Sequence, residues 1–380
     1  MLNKIIKWLP FFLLYIPFKI YALTNKEKRK ILLFGTGTGL YHDNSKYLFE
    51  YFLENRIDYP AFEAYWVATN KNIYTELRAK GIPVVYRNSI LCSKYAARAR
   101  AYFLTASLID VFWFIDKNTL LIQLWHGVPI KKIGFDTLID LKRLSKSQKY
   151  FNKNYQFERY NYLIIEDDRY KKIFKSAFQI PEHKILGLGQ PRNIIFNKNN
   201  IKKVDEIKKK LKVDCFNKII LYAPTFRDKK ASNLQLLQKF ITKEIEDYLS
   251  LNNHCLIIKL HPFLAADAEL KVFLQKFGNS IINNIDIVDI QELLIISDAV
   301  ITDISSLALD YVHYSTNLYK YFPDENEYVG VRGSFYDLTF KEFALKSITI
   351  ESLYELRFNN YNFDDYKKNT VCQKVLQLII

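Results

Sequence analysis

The side chains best equipped for chemistry in this chain stand directly after short apolar runs. TLLIQLW (119–125) leads into His126 and Gly127 and then VPIKKIGFD, which brings Lys131 and Lys132. HCLIIKL (254–260) leads into His261 and Pro262. AVIT (299–302) ends on Thr302 and continues through Asp303, Ser305 and Ser306 into the helical stretch SSLALDYVHY. Arg227 closes the run KIILYAPTF, and Arg192 follows KILGLG within GLGQPR. Imidazole exchanges protons near neutral pH. Arginine, lysine, hydroxyls and the free N–H groups of a helix start suit a phosphate. The set reads as a cradle for a phosphorylated ligand.

Each piece also has a structural explanation. A histidine after a strand is commonly a hydrogen-bonded framework residue, and Asp303 before two serines is ordinary N-capping. Arg227 could sit in a surface ion pair and GLGQPR could be a turn. The functional reading gains because five such segments fall at strand ends, where open parallel sheets bind their ligands.

The elements that would position these residues alternate. KILLFG (30–35), FEAYWVAT (62–69), IPVVY (82–86), AYFLTA (101–106), TLLIQLW, NYLIIE (161–166) and KILGLG (184–189) read as short buried strands. Helical stretches such as NSKYLFEYFLEN (44–55) lie among them. After the amphipathic stretch IKKVDEIKKKLK (201–212) the pattern restarts with KIILYAPTF, HCLIIKL, SIINNI (280–285) and AVIT. This is an α/β chain with parallel sheets covered by helices, arranged as two Rossmann-like domains expected to face each other. The expected division is 1–25, 26–200 and 201–380, with the last helix able to pack back on the first domain.

Other chemistries lose ground on the same residues. GTGTG (35–39) misses the dinucleotide fingerprint because Leu40 takes its last position, and the second strand ends at Thr69-Asn70 without a ribose-binding acid. No Walker lysine motif is present. EDD (166–168) is explained by the dipole of the helix it opens. No cofactor and no essential protein-bound metal are expected.

The 380 residues carry a formal net charge of +15, which points to anionic partners. Without a nucleic-acid-binding signature, the expected partners are phosphorylated substrates and a membrane surface, not nucleic acid. Cys92, Cys215, Cys255 and Cys372 are dispersed and form no C-x-x-C pair, which suits reduced, mostly buried thiols. IIKWLPFFLLYIPFKIYAL (5–23) is broken by two lysines and two prolines. It is expected to lie in the bilayer interface against anionic lipid, with a helix packed on the protein itself as the alternative.

Several of these segments together resemble the CDP-glycerol glycerophosphotransferase family, the teichoic-acid primases and polymerases. They are LWHGVPIKKIGFD (124–136), LGQPRNIIF (188–196), ILYAPTFRD (220–228), IKLHPF (258–263), ELLIISDAVITDISSLALDY (292–311) and YFPDENEYVGVRGSFYDL (321–338), with HDNSKYLFEY (42–51) towards the start. The resemblance implies a GT-B fold, a CDP-polyol donor, catalysis without a metal, and functional histidines at His126 and His261. One departure is Ile194 after Arg192-Asn193, where the family commonly has Asn-Asp.

On that footing His126 is expected to take the acceptor's proton and His261 to assist departure of CMP. Arg227, Thr302, Asp303, Ser305 and Ser306 are expected to hold the donor. Gly127, Lys132, Arg192 and Glu292 are secondary candidates. The expected reaction moves glycerol phosphate, or another polyol phosphate, from CDP-glycerol to a polyprenyl-linked saccharide or growing teichoic-acid or capsule-type polymer. It would run at the cytoplasmic face of the membrane on a peripheral, monotopic protein. A nucleotide-sugar glycosyltransferase of the same fold and a non-catalytic polymer-binding homologue are the alternatives.

Overall fold

The computed structural model describes residues 2–24, 30–137, 156–197, 200–227, 230–260, 264, 267–283, 289–312, 314–332, 346–347, 356 and 368–380. The chain divides into two compact units. The first comprises residues 1–126, 134–194 and 367–380, and the second 127–133 and 195–366.

In the first unit the apolar runs form seven strands: β1 (Ile31–Phe34), β2 (Glu63–Ala68), β3 (Val84–Tyr86), β4 (Ala99–Leu104), β5 (Leu120–Gln123), β6 (Tyr162–Ile165) and β7 (Ile185–Gly187). They make one sheet in the order β3-β2-β1-β4-β5-β6-β7, every pair parallel. The order reverses between β1 and β4, which leaves a crevice at the carboxyl ends of these two strands. All four residues of β1 are buried, as expected of a strand covered on both faces. Phe34 stacks on Phe103 of β4 with ring centroids 4.5 Å apart. The helix Asp43–Glu54 buries Leu48, Phe49 and Phe52 in the same core. The helix Lys368–Gln377 adds Cys372, Val375 and Leu376 to it, and Ile379 follows.

The second unit has β8 (Lys218–Ala223), β9 (His254–Ile258), β10 (Ile281–Ile282), β11 (Ala299–Thr302), β12 (Leu318–Lys320) and β13 (Lys346–Ser347). Their order is β10-β9-β8-β11-β12-β13, again all parallel. The switch point lies between β8 and β11. Tyr222, Phe240, Leu256, Ile258 and Ile301 belong to its core.

Four elements differ from the sequence reading. SIINNI contributes only a two-residue strand, with 284–288 outside the described residues. β12 and β13 are too short and too polar to announce themselves. The N-terminal stretch forms one helix, Leu2–Thr24, despite its prolines. Leu14 and Phe18 are buried, with Phe18 against Phe112 and Phe114. Ser93 of the helix Ile90–Ala97 donates to the Leu14 carbonyl at 2.7 Å. The helix therefore packs on the first unit, yet Leu13, Ile16, Ile20 and Leu23, spaced as one helical stripe, are 53–78% exposed.

Candidate active site

β5 ends at Gln123, and the chain turns sharply to deliver His126. Trp125 adopts φ +53 and Gly127 φ +125. A left-handed tryptophan is unfavourable by about 1–2 kcal/mol, so its surroundings must impose it. Gln123 Oε1 accepts from Trp125 N–H at 2.9 Å, and the Trp125 ring rests edge-on against Phe178. The Trp125 and His126 rings then stack, with centroids 4.1 Å apart.

His126 is exposed, and its Nδ1 lies 2.7 Å from the carbonyl oxygen of Thr105, just past β4. A carbonyl can only accept, so Nδ1 carries the proton and a neutral ring presents Nε2 as a bare base. The accepting loop is itself fixed. The carboxylate of Asp110 takes the N–H groups of Thr105, Ala106 and Ser107 at 2.7–3.1 Å, and Gln123 donates to the Ala106 carbonyl at 3.1 Å. Burial pushes the Asp110 carboxyl up, against the pull of those N–H groups.

The glycines of GTGTG serve this junction. A Cβ on Gly35 would collide with the Asp110 carbonyl oxygen, and one on Gly37 would lie 2.6 Å from the Ala106 side chain. Gly37 N–H reaches Thr105 Oγ1 at 3.3 Å. The motif thus lets the β1 loop approach the β4 loop at the switch point.

Arg192 is buried. Its Nη1 pairs with Asp43 Oδ1 at 2.8 Å, and its N–H donates to Asn44 Oδ1 at 3.1 Å. Arg192 is therefore joined to the start of the helix that follows β1.

At the second switch point Arg227 is 3% exposed, beyond β8. Asp324 grips it through Nε and Nη2, both at 2.7 Å, and Asp303 takes Nη1 at 2.7 Å. Burial works against the charge, but the two carboxylates raise the guanidinium's pKa above its ordinary value. Tyr328 covers one face at 4.6 Å, and Lys131 lies 5.0 Å from the centroid of the same ring. Asp303, fully buried, also accepts from Thr225 Oγ1 at 2.5 Å, Thr225 N–H at 3.0 Å and Ile304 N–H at 2.6 Å. The Thr302 hydroxyl donates to the Ala223 carbonyl at 2.7 Å, tying β11 to β8. The polar atoms of Arg227, Thr302 and Asp303 are thus engaged inside the protein. Ser305 and Ser306 are half-buried at the start of the helix Leu307–Tyr311.

Gly127 is buried and Lys132 half-buried. Glu292, on the helix Ile290–Ile296, pairs with Lys210 of the helix Ile201–Leu211 at 3.4 Å. His261 lies outside the described residues. The sequence did not single out Thr105, Asn44, Asp110, Gln123 or Asp324 as site residues. Thr105 acts through its backbone, and Asn44 and Asp324 lie within segments that carry the family resemblance without being distinguished there from their neighbours.

A family model described as CDP-Glycerol:Poly(glycerophosphate) glycerophosphotransferase matches residues 16–378. The chain belongs to that family. Among its relatives, the teichoic acid poly(glycerol phosphate) polymerase of Staphylococcus epidermidis is 31% identical over 309 residues, covering 77% of this chain and 40% of the relative. The polymerase of the same description from Bacillus spizizenii is 29% identical over 336 residues, covering 85% and 81%. The teichoic acid glycerol-phosphate transferase of Staphylococcus aureus is 27% identical over 337 residues, covering 84% and 82%. The chain therefore spans less than half of the first of these and about four-fifths of the other two. Among solved structures, the wall teichoic acid polymerase TagF matches with a TM-score of 0.73 at 23% identity, covering 96% of this chain and 92% of that one. The α/β architecture of parallel sheets is thus of the GT-B type seen in that structure.

Proposed function

We propose that the chain transfers glycerol phosphate from CDP-glycerol to a lipid-linked primer or a growing teichoic-acid polymer and releases CMP. Family membership supports the donor class. The observation that carries the mechanism is the exposed His126 ring whose Nδ1–H is donated to the Thr105 carbonyl. In this reading Nε2 takes the proton of the acceptor hydroxyl as its oxygen attacks the glycerol-bearing phosphorus. The new P–O bond forms, the bond to the CMP phosphate oxygen breaks, and CMP leaves with that electron pair. His261 assists the departing phosphate, an assignment resting on its LHP segment.

Ser305 and Ser306 meet the donor's diphosphate, while Arg227, Thr302 and Asp303 keep their loop and the neighbouring β8 loop in register. Ribitol phosphate, after which a teichoic acid primase and a polymerase of Bacillus spizizenii similar to this chain are named, is the competing cargo.

The protein works at the cytoplasmic face of the membrane as a peripheral protein. Among the described residues no helix is long and apolar enough to cross a membrane, and the stripe Leu13, Ile16, Ile20 and Leu23 offers an apolar face to lipid. Vesicles containing anionic lipid should retain the wild type and lose an Ile16→Asp/Ile20→Asp variant.

The decisive assay incubates purified protein with CDP-glycerol and a lipid-linked glycerol-phosphate primer, and measures CMP and product mass. His126→Ala should lower turnover at least about 100-fold, the lower end of general-base catalysis. Near-normal CMP release by the folded variant would remove His126 from the mechanism. Preference for a nucleotide sugar would replace the reaction.

A further inference from the structure

We propose that Asn44 is a positioning residue for His126, a role that rests on reading His126 as the base. Asn44 is fully buried at the start of the helix Asp43–Glu54. Its Nδ2 lies 3.1 Å from the carbonyl oxygen of Leu124 and 3.0 Å from that of Trp125, the two residues that precede His126. Nδ2 also donates to Gln190 Oε1. Its Oδ1 accepts Arg192 N–H at 3.1 Å. One amide therefore joins three segments: the turn after β1, the end of β5 and the turn after β7.

The three segments are stiffened around that amide. Asp43 adopts φ +66, and its Oδ1 accepts both Asn44 N–H and Arg192 Nη1, each at 2.8 Å. Two non-glycine residues in left-handed backbone, Asp43 and Trp125, thus flank the same node. Such conformations persist where surrounding bonds over-determine them, and they gather at sites whose geometry matters. The direction of the Trp125 carbonyl sets the peptide plane that launches His126. The Thr105 contact fixes only the ring's rotation, through Nδ1. Asn44 thus governs where the backbone delivers the imidazole, and Thr105 governs which nitrogen faces outward.

A residue that merely holds the fold together would be expected to act independently of His126. A positioning residue acts only through it, because members of one catalytic unit do not contribute additively. The test is a double-variant cycle on the full chain, with CMP release from CDP-glycerol in the presence of the lipid-linked primer. Asn44→Ala should lower kcat on the order of 10- to 100-fold, the scale of a small misplacement of a reacting group. KM for CDP-glycerol should stay within roughly two-fold, since uniform binding is untouched. In a His126→Ala background the same substitution should have no further effect.

An equal loss in both backgrounds, or a rise in KM with kcat intact, would overturn the proposal alone. Full activity of His126→Ala would overturn the reading of His126 as the base, and this proposal with it. Should Asn44→Ala fail to fold, Gln190→Ala takes its place. It removes one acceptor from the node, and its loss of rate should vanish in the His126→Ala background. An additive loss there would sink the proposal equally.

Discussion

Asp303→Asn should destabilise the second unit far more than an isosteric change ordinarily does. In the wild type the Asp303 carboxylate receives Arg227 Nη1 at 2.7 Å, Thr225 Oγ1 at 2.5 Å, Thr225 N–H at 3.0 Å and Ile304 N–H at 2.6 Å. All are donors, and the side chain is buried. An amide keeps the shape but removes the charge and turns one acceptor atom into a donor facing donors. Removing one partner of a buried ion pair costs about 3–5 kcal/mol. Arg227 keeps its two-pronged contact with Asp324, which places the loss at the lower end, about 3 kcal/mol. A unit of this size loses about 2–4 °C of melting temperature per kcal/mol, so its transition should fall by about 6–12 °C. Differential scanning calorimetry reads this directly. Thr302→Val is the control: it forfeits one neutral hydrogen bond, worth about 1 kcal/mol. If Asp303→Asn lowers the transition no further than Thr302→Val does, the carboxylate is not the anchor described.

Other expectations follow from neighbouring contacts. Burial opposes ionisation of Asp324, but its hydrogen bonds to Arg227 prevail and hold its carboxyl below the usual carboxylate range. The stability it contributes is therefore complete above about pH 4 and lost as the pH falls further, through the depressed folded value. Thermal melts between pH 6 and 3 should show a shallower acid loss in Asp324→Asn. Gly35→Ala sets a methyl against the Asp110 carbonyl oxygen, held in place by the Asp110 network, and should cost about 1–3 kcal/mol or more in a denaturant titration. Leu376→Ala opens a void in the first unit's core, for about 2–5 kcal/mol, and should speed proteolysis there.

Much of the fold was legible because parallel strands covered on both faces appear as unbroken apolar runs. Ile31–Phe34 falls within KILLFG, and Ala99–Leu104 overlaps AYFLTA but begins and ends two residues earlier. β12 and β13 were not legible: three residues ending in lysine, and a Lys-Ser pair, carry no period. The stretch SSLALDYVHY read as a longer helix than the five residues 307–311 that form one. His126 could be placed at a strand end, but its partner could not, because a backbone carbonyl has no residue signature. Arg227 shows the same limit. Its two carboxylates lie 76 and 97 residues further along the chain, and nothing local pairs them with it. Arg192, read from sequence as a helper near a ligand, is engaged with Asp43. Fold class is written in periodicity, whereas the alignment of a catalytic group depends on contacts made only after the loops are in place.

The helix Lys368–Gln377 fills a gap in a core otherwise composed of residues before 195. The second unit is consequently an insertion in the sequence of the first. During synthesis the leading unit emerges without its closing helix and waits while about 170 further residues are translated. Its apolar seam stays uncovered over that interval. Folding therefore finishes at the part of the chain that began it, and expression yield should respond to changes in 368–380 more sharply than the length of that segment suggests.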